Sequence, residues 1–365
     1  MSPSGPEPFP ATMPGSLPNH TGRATSADVA RLAGVSRTAV SFAYNDPARI
    51  SAATRGRILA AADELGYTPN PVARMLKAGR TGTLGVLLPQ DITQVMQNPY
   101  YAQFFTGLGQ VCEREGMTLL LCPPLRNSML KVIPYAAVDG FVVAGLEADR
   151  GEVAELRRRG VPFVLVDSEP PDDVPSVETD DETGGYELVK HLLDLGHRRI
   201  TFLLFESGPD QPRIGYRGPL GRRLVGAARA LKECDLALDA AGISLVEATC
   251  TRAGGYTATL SLMTEADRPT AILAFSDIMA VGVLDALQSM GIQVPAQVSV
   301  AGYDDQPEAE WTRPKLTTVR QPTEAKGRLA GDFLAAAIRG EDQHPRQRLQ
   351  GTLVVRDSTG PAPTS

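Results

Sequence analysis

From residue 83 onward the sequence alternates short apolar runs with longer amphipathic segments. The apolar runs have the length of strands, and two of the segments between them, 104–115 and 182–195, have the length and pattern of helices. Strands that are apolar throughout are buried on both faces, and their alternation with helices predicts doubly wound parallel sheets, an α/β fold. Roughly 270 residues of this pattern exceed one comfortable core, so two lobes are expected. The predicted strands are 84–88, 117–121, 140–144, 162–166, 200–204, 271–274 and 298–301.

A different pattern precedes this region, in residues 24–45. Thr25 and Asp28 fit a capping box, which predicts the start of a helix, and Gly34 predicts its end. Ser36 can cap a second helix two residues later. Two short helices joined by a tight turn that contains glycine form a helix-turn-helix, a motif whose second helix enters the major groove of DNA.

Helical geometry indicates which side chains of the second helix could contact bases. At about 100° per residue, placing Val40 inward directs Thr38 and Phe42 to the opposite side, with Ser41 beside them. Arg37 lies at the exposed first turn, and its guanidinium suits the paired acceptors of guanine. A small helical bundle without a ligand is the alternative that this pattern alone leaves open.

Residues 70–80 contain a second DNA-binding signal. A helix that starts at Pro71 and ends at Gly79 is predicted, too short to be stable alone. It carries an apolar residue, Leu76, among basic ones, and a leucine that wedges between base steps in the minor groove would explain this combination. The basic residues are Arg74, Lys77 and Arg80.

Charge is distributed unevenly along the chain. Residues 23–80 contain nine Lys and Arg and four acidic residues, a net of +5, whereas the remainder, with 27 basic and 38 acidic residues, has a net of -11. A basic module on an acidic body suggests that only the module contacts polyanions.

Composition limits the compartment and the chemistry. The 42% hydrophobic and 21% charged residues fit a soluble globular protein, and no apolar run approaches membrane-spanning length. Residues 1–22, rich in Pro, Ser and Gly, lack the pattern of a signal peptide and are expected to form a disordered tail. The four cysteines have no metal-binding spacing, so we expect reduced thiols, no metal and a cytoplasmic location. No catalytic motif or dinucleotide fingerprint is present, which predicts no enzyme and no cofactor.

Residues 24–80 closely resemble the DNA-binding headpiece and hinge of the LacI/GalR family of bacterial transcriptional regulators. The resemblance lies in DVA at 28–30, AGVS at 33–36, VS at 40–41, LGY at 65–67 and NPVAR at 70–74. It implies that Arg37 and Thr38 read bases and that Leu76 is the minor-groove wedge. The family usually has arginine after Val-Ser, where this chain has Phe42, so either Phe42 packs inside the headpiece or it contacts DNA without an arginine-to-guanine bond. The DNA-binding residues expected are Thr25, Ser36, Arg37, Thr38, Ser41, Phe42, Asn70, Ala73 and Leu76, with Arg49, Arg55 and Lys77 as phosphate contacts.

The resemblance continues through the α/β region, where it is to the two-lobed effector-binding core of the same family, of the periplasmic-binding-protein-like type. It lies in VDG at 138–140, GVPF at 160–163, LGHRRI at 195–200, AFSD at 274–277, GYDD at 302–305 and LTTVRQP at 316–322. It implies that the chain crosses between lobes near 181, near 320 and again at 352–356. The expected organisation is a tail at 1–22, a helix-turn-helix domain at 23–69, a hinge at 70–81, a core at 82–357 and a tail at 358–365. Lobe 1 would hold 82–181 and 320–345, and lobe 2 would hold 182–319 and 346–357.

Effector contacts follow from the resemblance position by position. Tyr100 and Tyr101 would stack on a ring, Arg223 matches an effector-gripping arginine, and carboxylates would line the cleft. Carboxylates and a guanidinium suit the hydroxyls of a sugar. Alternatively, Asp277 and Asp304 cap helices and the tyrosines pack within a lobe. The expected effector contacts are Tyr100, Tyr101, Asp167, Asp180, Arg223, Asp277 and Asp304.

The sequence therefore predicts a homodimeric repressor with two partners: a near-palindromic operator in double-stranded DNA, and a small effector, a carbohydrate, held between the lobes. A dimer is expected because no leucine heptad follows residue 356. Two alternatives are an effector-independent architectural DNA-binding protein and a solute-binding protein of transport type.

Overall fold

The computed structural model describes residues 24–146, 151–169, 171–205, 216–264, 267–341 and 345–363. The chain divides into two compact units, Met1–Arg80 and Thr81–Ser365. The tail expected at residues 1–22 lies outside the described residues.

The first unit is helical in its described part. Its helices are α1 (Ser26–Ala33), α2 (Arg37–Asn45), α3 (Ala52–Glu64) and α4 (Pro71–Ala78). Side chains of the residues that precede each helix cap it, and Thr25 completes the capping box with Asp28. Gly34 has a φ of 67°, a left-handed conformation that glycine adopts at little cost, which lets α2 start after a turn of only three residues. The helix-turn-helix is confirmed.

One small apolar core holds α1, α2 and α3 together. Val40 and Ala43 are the buried residues of α2, so the inward face is the one predicted from helical angles. Ile58 of α3 is fully buried against them. The remaining buried members are Val29, Ala30, Ala33, Ala61 and Ala62.

The second unit contains two parallel sheets and a two-stranded ribbon. Its strands are β1 (Thr83–Leu87), β2 (Thr118–Cys122), β3 (Gly140–Ala144), β4 (Phe163–Val166), β5 (Ser176–Thr179), β6 (Ile200–Phe205), β7 (Ile243–Ala248), β8 (Ala271–Ala274), β9 (Ser299–Ala301), β10 (Thr318–Arg320), β11 (Arg346–Leu349) and β12 (Thr352–Val354). The first sheet has the order β11-β5-β4-β3-β1-β2 and the second β7-β6-β8-β9, while β10 pairs antiparallel with β12. All pairings within the two larger sheets are parallel.

Helices cover both faces of each sheet, as the apolar strands require. They are α5 (Ile92–Gln97), α6 (Pro99–Glu115), α7 (Glu152–Arg159), α8 (Asp181–Asp194), α9 (Gly218–Lys232), α10 (Arg252–Leu262), α11 (Asp277–Ser289), α12 (Glu308–Trp311) and α13 (Thr323–Ile338). In the first lobe α6 and α13 share one apolar cluster with the sheet, and α7 belongs to the cluster on the other face. In the second lobe α8 and α9 cover one face and α11 the other. The two-lobed, doubly wound prediction is confirmed.

Two glycines bring α6 and α13 unusually close together. A Cβ at Gly107 would lie 2.0 Å from the carbonyl oxygen of Glu324, and one at Gly327 would lie 2.1 Å from that of Phe104. Only hydrogen fits at these positions, so the backbones of the two helices touch. This contact brings the first turn of α6 close to that of α13, where site residues lie.

Two expected boundaries are wrong. Residues 346–349, assigned to lobe 2, form β11, which pairs with β5 in the first sheet, so the last crossing follows residue 349. Residues 358–363, assigned to a tail, pack on the second lobe, where the hydroxyl of Ser358 is buried and donates to the carbonyl of Val300 at 2.6 Å. Sequence reasoning missed this segment because a stretch of Thr, Gly and Pro has no apolar signal.

The segment 90–97 contains the short helix α5, which Asp91 caps. Across the described residues, no helix has both the length and the apolar character needed to span a membrane.

Candidate functional sites: a DNA-binding face and an interlobe cleft

The first turn of α2 presents the residues predicted to read bases. Arg37 and Thr38 are exposed, whereas Ser41 and Phe42 are half-buried. The hydroxyl of Ser36 accepts from the backbone N–H of Ala39 at 3.1 Å, so this side chain is engaged in capping. Arg37 and Thr38 are therefore the residues of this turn most available to a duplex.

Phe42 has a partner inside the headpiece. The guanidinium of Arg49 lies 5.3 Å from the centroid of the Phe42 ring, and it also pairs with Asp46 at 2.8 Å. Arg55 donates to the carbonyl of Ala43 at 3.3 Å. These contacts support the packing alternative for Phe42 and orient two arginines that remain candidates for phosphate contacts.

The hinge helix α4 exposes its predicted wedge. Asn70 caps it by accepting from the backbone N–H of Val72 at 2.9 Å, and Leu76 is 81% exposed. Leu76 is therefore accessible to a duplex, as a wedge between base steps requires. Ala73 and Lys77 lie in α4, but their side chains fall outside the described part of the chain.

In the first lobe, a buried lysine contacts two of the residues predicted to bind the effector. Tyr100, in the first turn of α6, donates its hydroxyl to Asp167 at 2.8 Å. Lys326 of α13 has no exposed surface, and its ammonium lies 2.7 and 2.9 Å from the two carboxylate oxygens of Asp167 and 3.2 Å from the Tyr100 hydroxyl. Asp167 follows β4 with a φ of 51°, a left-handed conformation uncommon for aspartate.

Gln321 connects this cluster to the second lobe. Its side-chain oxygen accepts from Lys326 at 3.0 Å and from Thr179 at 3.0 Å, while its amide donates to Asp304 at 2.7 Å. Asp304 also accepts from Ser276 at 3.1 Å. Its φ of 124° is strained for a residue with a Cβ, and such strain is characteristic of functional sites.

A second bridge between the lobes closes the network into a ring. Gln306 donates to Asp304 at 3.2 Å and, across the cleft, to the side-chain oxygen of Asn98 at 3.1 Å. The same oxygen of Asn98 accepts from the backbone N–H of Tyr100 at 3.1 Å. A continuous circuit thus runs from α6 through Asp167, Lys326 and Gln321 to Asp304, and returns through Gln306 to α6. We call these residues, Asn98, Tyr100, Asp167, Asp304, Gln306, Gln321 and Lys326, the cleft circuit.

Two more predicted residues flank the cleft circuit. Tyr101 packs edge-on against Tyr100 with ring centroids 5.4 Å apart. Arg223 of α9 is buried, and its guanidinium lies 3.7 Å from the centroid of Tyr303. Arg223 also donates to Asp181 at 2.9 Å and to the carbonyl of Phe275 at 2.7 Å. Its charge is therefore held at the carboxyl ends of β6 and β8, the edge where ligands of such sheets bind.

The remaining two predicted residues lie outside the cleft circuit. Asp180 caps α8 by accepting from both the N–H and the hydroxyl of Thr183. Asp277 is fully buried and accepts from the backbone N–H of Gln306 at 2.8 Å and from the hydroxyl of Thr318 at 2.6 Å. Asp277 thereby fixes the loop that carries Asp304 and Gln306, rather than facing the cleft.

Burial and charge set the protonation of the carboxyls. Burial would raise the pKa of Asp167, but the ammonium of Lys326 and the hydroxyl of Tyr100 outweigh it and lower the pKa below its ordinary value. Burial raises the pKa of Asp304 to about 6, although Arg223 and Gln321 oppose the rise. Burial and the charge of Asp304 raise the pKa of Asp277 to about 8, so Asp277 is largely protonated at neutral pH.

Sequence reasoning missed four members of the cleft circuit. Gln321 and Gln306 lie in or beside recognised stretches, so proximity to these stretches was the available signal. The sequence contains no signal for Lys326, because a lysine within an amphipathic helix is expected to face solvent. Asn98 precedes Pro99 at the start of α6, so its sequence context indicates a helix cap rather than a cleft residue.

Two protein-family models match this chain, one in each of its two units. The model of bacterial regulatory proteins of the lacI family matches residues 25–70, and the model of periplasmic binding protein-like domains matches residues 189–359. The HTH-type transcriptional repressor PurR of Vibrio vulnificus (strain CMCP6) is 33% identical over 346 residues, which span 92% of this chain and 98% of PurR.

Two solved structures extend the similarity to three dimensions. A complex of the transcriptional regulator CelR with cellobiose has a TM-score of 0.67 at 31% identity, and covers 92% of this chain and 100% of CelR. The lac repressor dimer bound to operator and the anti-inducer ONPF has a TM-score of 0.77 at 26% identity. The match covers 93% of this chain and 100% of the lac repressor chain. These relatives are transcription regulators, not enzymes. The chain belongs to the lacI family of bacterial regulatory proteins.

Proposed function

We propose that this protein is a homodimeric transcriptional repressor whose affinity for a near-palindromic operator is set by a small, hydroxyl-rich effector bound between the lobes of its core. The observation that carries the proposal is the cleft circuit, a buried polar network that joins the two lobes at the carboxyl ends of their strands. Buried polar groups are costly unless they are satisfied. A polar ligand that replaces part of this network can therefore change how the lobes are held.

The chemistry of the cleft favours an uncharged polar effector. The ammonium of Lys326 is balanced by Asp167, and the guanidinium of Arg223 by Asp181. The carboxyl of Asp304 remains without a cation of its own in these pairs, which disfavours an anionic ligand. Hydroxyl groups both donate and accept, so they suit carboxylates, amides and the Tyr100 hydroxyl alike. CelR, which is bound to cellobiose, provides a relative with a ligand of this class.

The DNA-binding half of the proposal assigns roles to the exposed residues of the headpiece. Arg37 and Thr38 would read bases in the major groove, while the Leu76 side chains of two protomers would wedge between central base steps in the minor groove. Arg49, Arg55 and Lys77 would contact phosphates. Two headpieces would then occupy half-sites related by the two-fold axis of the dimer. The site of action would be the nucleoid, in the cytoplasm.

Thermodynamic linkage connects effector binding in the core to operator binding by the headpiece. An effector changes operator affinity only by as much as its own affinity differs between the two lobe arrangements, typically about 5- to 150-fold. The effect is reciprocal, so operator DNA must change effector affinity by the same factor.

Selection of bound duplexes from random DNA by the full-length protein tests the DNA-binding half. We expect a near-palindromic site. Arg37→Ala should weaken binding to it by at least about tenfold and relax preference at one position in each half-site. Arg57→Ala, which changes an exposed arginine of α3, is the matched control for lost charge. Equal losses in the two variants, with unchanged base preference, would contradict the assignment of Arg37 as a reader of bases.

A further inference from the structure

A cavity beside the cleft is the strongest unassigned feature of the described residues. Its volume is about 530 Å³, and every residue that lines it is polar or charged. The lining comes from the segment after β4, from the edge strand β11 and its neighbour β5, and from one side chain of α9. The residues used below are Ser168, Glu169, Glu178, Arg222, Arg346 and Arg348.

The cavity is distinct from the cleft circuit although both use the same segments of chain. Ser168 follows Asp167, and Arg222 precedes Arg223. Ser168 and Arg222 line the cavity, whereas Asp167 belongs to the cleft circuit and Arg223 packs on Tyr303. Adjacent residues thus serve two separate sites.

Arg222 is a poorly satisfied cation in this cavity. Its side chain is only 20% exposed, yet its guanidinium has only loose ion pairs, at 3.4 Å to Asp181 and 3.7 Å to Glu178. Its Nε is buried and has no hydrogen-bond partner. The neighbouring Arg223 makes contacts of 2.9 and 2.7 Å. A partly buried guanidinium whose terminal nitrogens make only long contacts can gain free energy from a closer acceptor.

The charges around the cavity also favour the binding of an acceptor group. Three arginines face two glutamates, and Arg348 and Glu178 pair closely at 2.7 Å. Arg346 contacts Asp172 at 3.3 Å, where the carboxyl is fully exposed and its charge is screened by water. Glu169 is also exposed. The side chains that line the cavity thus carry a net charge of +1.

We propose that this cavity binds a small oxyanion, a carboxylate or a phosphate group, with Arg222 as its principal ligand. The planar guanidinium matches both groups in a bidentate geometry through its two terminal nitrogens, whose present contacts are 3.4 and 3.7 Å long. Arg346 and Arg348 supply further positive charge. The site is separate from the effector cleft and does not depend on the identity of the effector.

Titration calorimetry on the full-length protein tests the proposal, with inorganic phosphate and acetate as probes and chloride at equal ionic strength as the reference. We expect phosphate, acetate or both to bind. Arg222→Gln should weaken that binding by at least about tenfold, the factor expected for one charge-assisted hydrogen bond. Arg222→Lys, which keeps the charge and loses the planar fork, should weaken it less. Binding of phosphate alone or of acetate alone identifies which group the cavity accepts.

The headpiece is basic as well, so Arg57→Gln, at an exposed arginine of α3 to which no DNA contact is assigned, is the matched control and should leave probe binding unchanged. Arg222→Lys covers the case in which Arg222→Gln fails to fold, because it keeps the positive charge. The proposal is overturned if neither probe binds better than chloride, if both Arg222 variants bind as the unsubstituted protein does, or if Arg57→Gln removes the binding.

Discussion

Lys326 is the residue on which the first-lobe side of the cleft depends. It is fully buried, and its charge is compensated by Asp167 at 2.7 Å. Removing one partner of a buried ion pair leaves the other charge uncompensated, which costs far more than losing an exposed pair. The charge balance on the first-lobe side of the cleft therefore depends on Lys326.

Lys326→Met should lower the free energy of unfolding by about 3–5 kcal/mol in denaturant titrations. The double variant Lys326→Met/Asp167→Asn should recover much of this loss, because the uncompensated carboxylate is removed as well. Lys190→Met, which removes an exposed lysine paired with Asp194, is the matched control and should cost at most about 1 kcal/mol. Similar losses in Lys326→Met and Lys190→Met would contradict the buried pair.

The buried carboxyl of Asp277 predicts a pH dependence. Its pKa of about 8 in the folded protein lies above the unfolded value of about 4, so the folded state binds the extra proton. The stability that this proton provides is complete below about pH 4 and is lost as pH rises through 8. The raised pKa of Asp304, about 6, acts in the same direction at lower pH.

The measurement is the free energy of unfolding at pH 7 and pH 8, compared between the unsubstituted protein and Asp277→Asn. The unsubstituted protein should lose stability over this interval and Asp277→Asn should lose less, whatever the substitution costs at pH 7. This interval avoids His191 and His197, whose lowered pKa values make stability fall only as pH drops below about 6.5. Equal slopes in the two proteins would show that Asp277 is ionised throughout.

For individual residues, the sequence could predict which side chains lie at the cleft but not which hydrogen bonds join them. Tyr100, Asp167 and Asp304 were identified by resemblance, and the structure joins all three through Lys326 and Gln321. A lysine in a helix has the same sequence signature whether it faces water or a buried carboxylate. Its burial follows from the contact between α6 and α13, which is a tertiary property.

The short hinge helix is the element with the clearest functional prediction. Leu76→Ala should weaken binding to the selected operator by at least about tenfold, because an apolar wedge would no longer fill the opened base step. The thermal unfolding of the free protein should change little, since Leu76 is 81% exposed. Leu32→Ala, at an exposed leucine of α1, is the control. Unchanged operator affinity in Leu76→Ala would contradict the wedge assignment.

Element positions were largely predictable, because caps and apolar runs are local signals. Thr25 and Ser36 cap helices at the positions expected from sequence, and α4 starts at Pro71 as predicted. The errors arose where the decisive partner is distant: β11 contains alternating arginines and joins the first sheet only through β5. Residues 358–363 likewise pack through hydrogen bonds of Ser358 rather than through apolar side chains.

At the scale of the whole molecule, Gln306 is one of two side chains through which the cleft circuit passes from lobe to lobe. Its bond to Asn98 crosses the cleft at 3.1 Å, and its own side-chain oxygen is buried without a partner. Gln306→Ala removes the bridge and should shift the core toward an open arrangement. A larger radius of gyration in small-angle X-ray scattering of the ligand-free protein is the expected result.

Gln110→Ala is the matched control for Gln306→Ala, since Gln110 bonds to Glu324 within the first lobe. It should leave the radius of gyration unchanged. If Gln306→Ala scatters as the unsubstituted protein does, the contact with Asn98 does not hold the lobes together.

The central claim is that occupancy of the cleft sets operator affinity. The most direct measurement is fluorescence anisotropy of the selected operator, titrated with the full-length protein in the presence of individual neutral sugars and nucleosides. At least one ligand should change the Kd for operator by about 5-fold or more, and Asp304→Asn, altered only in the cleft, should bind operator but respond less to that ligand. Tight operator binding that no ligand of this set changes would contradict the claim and favour an effector-independent architectural protein.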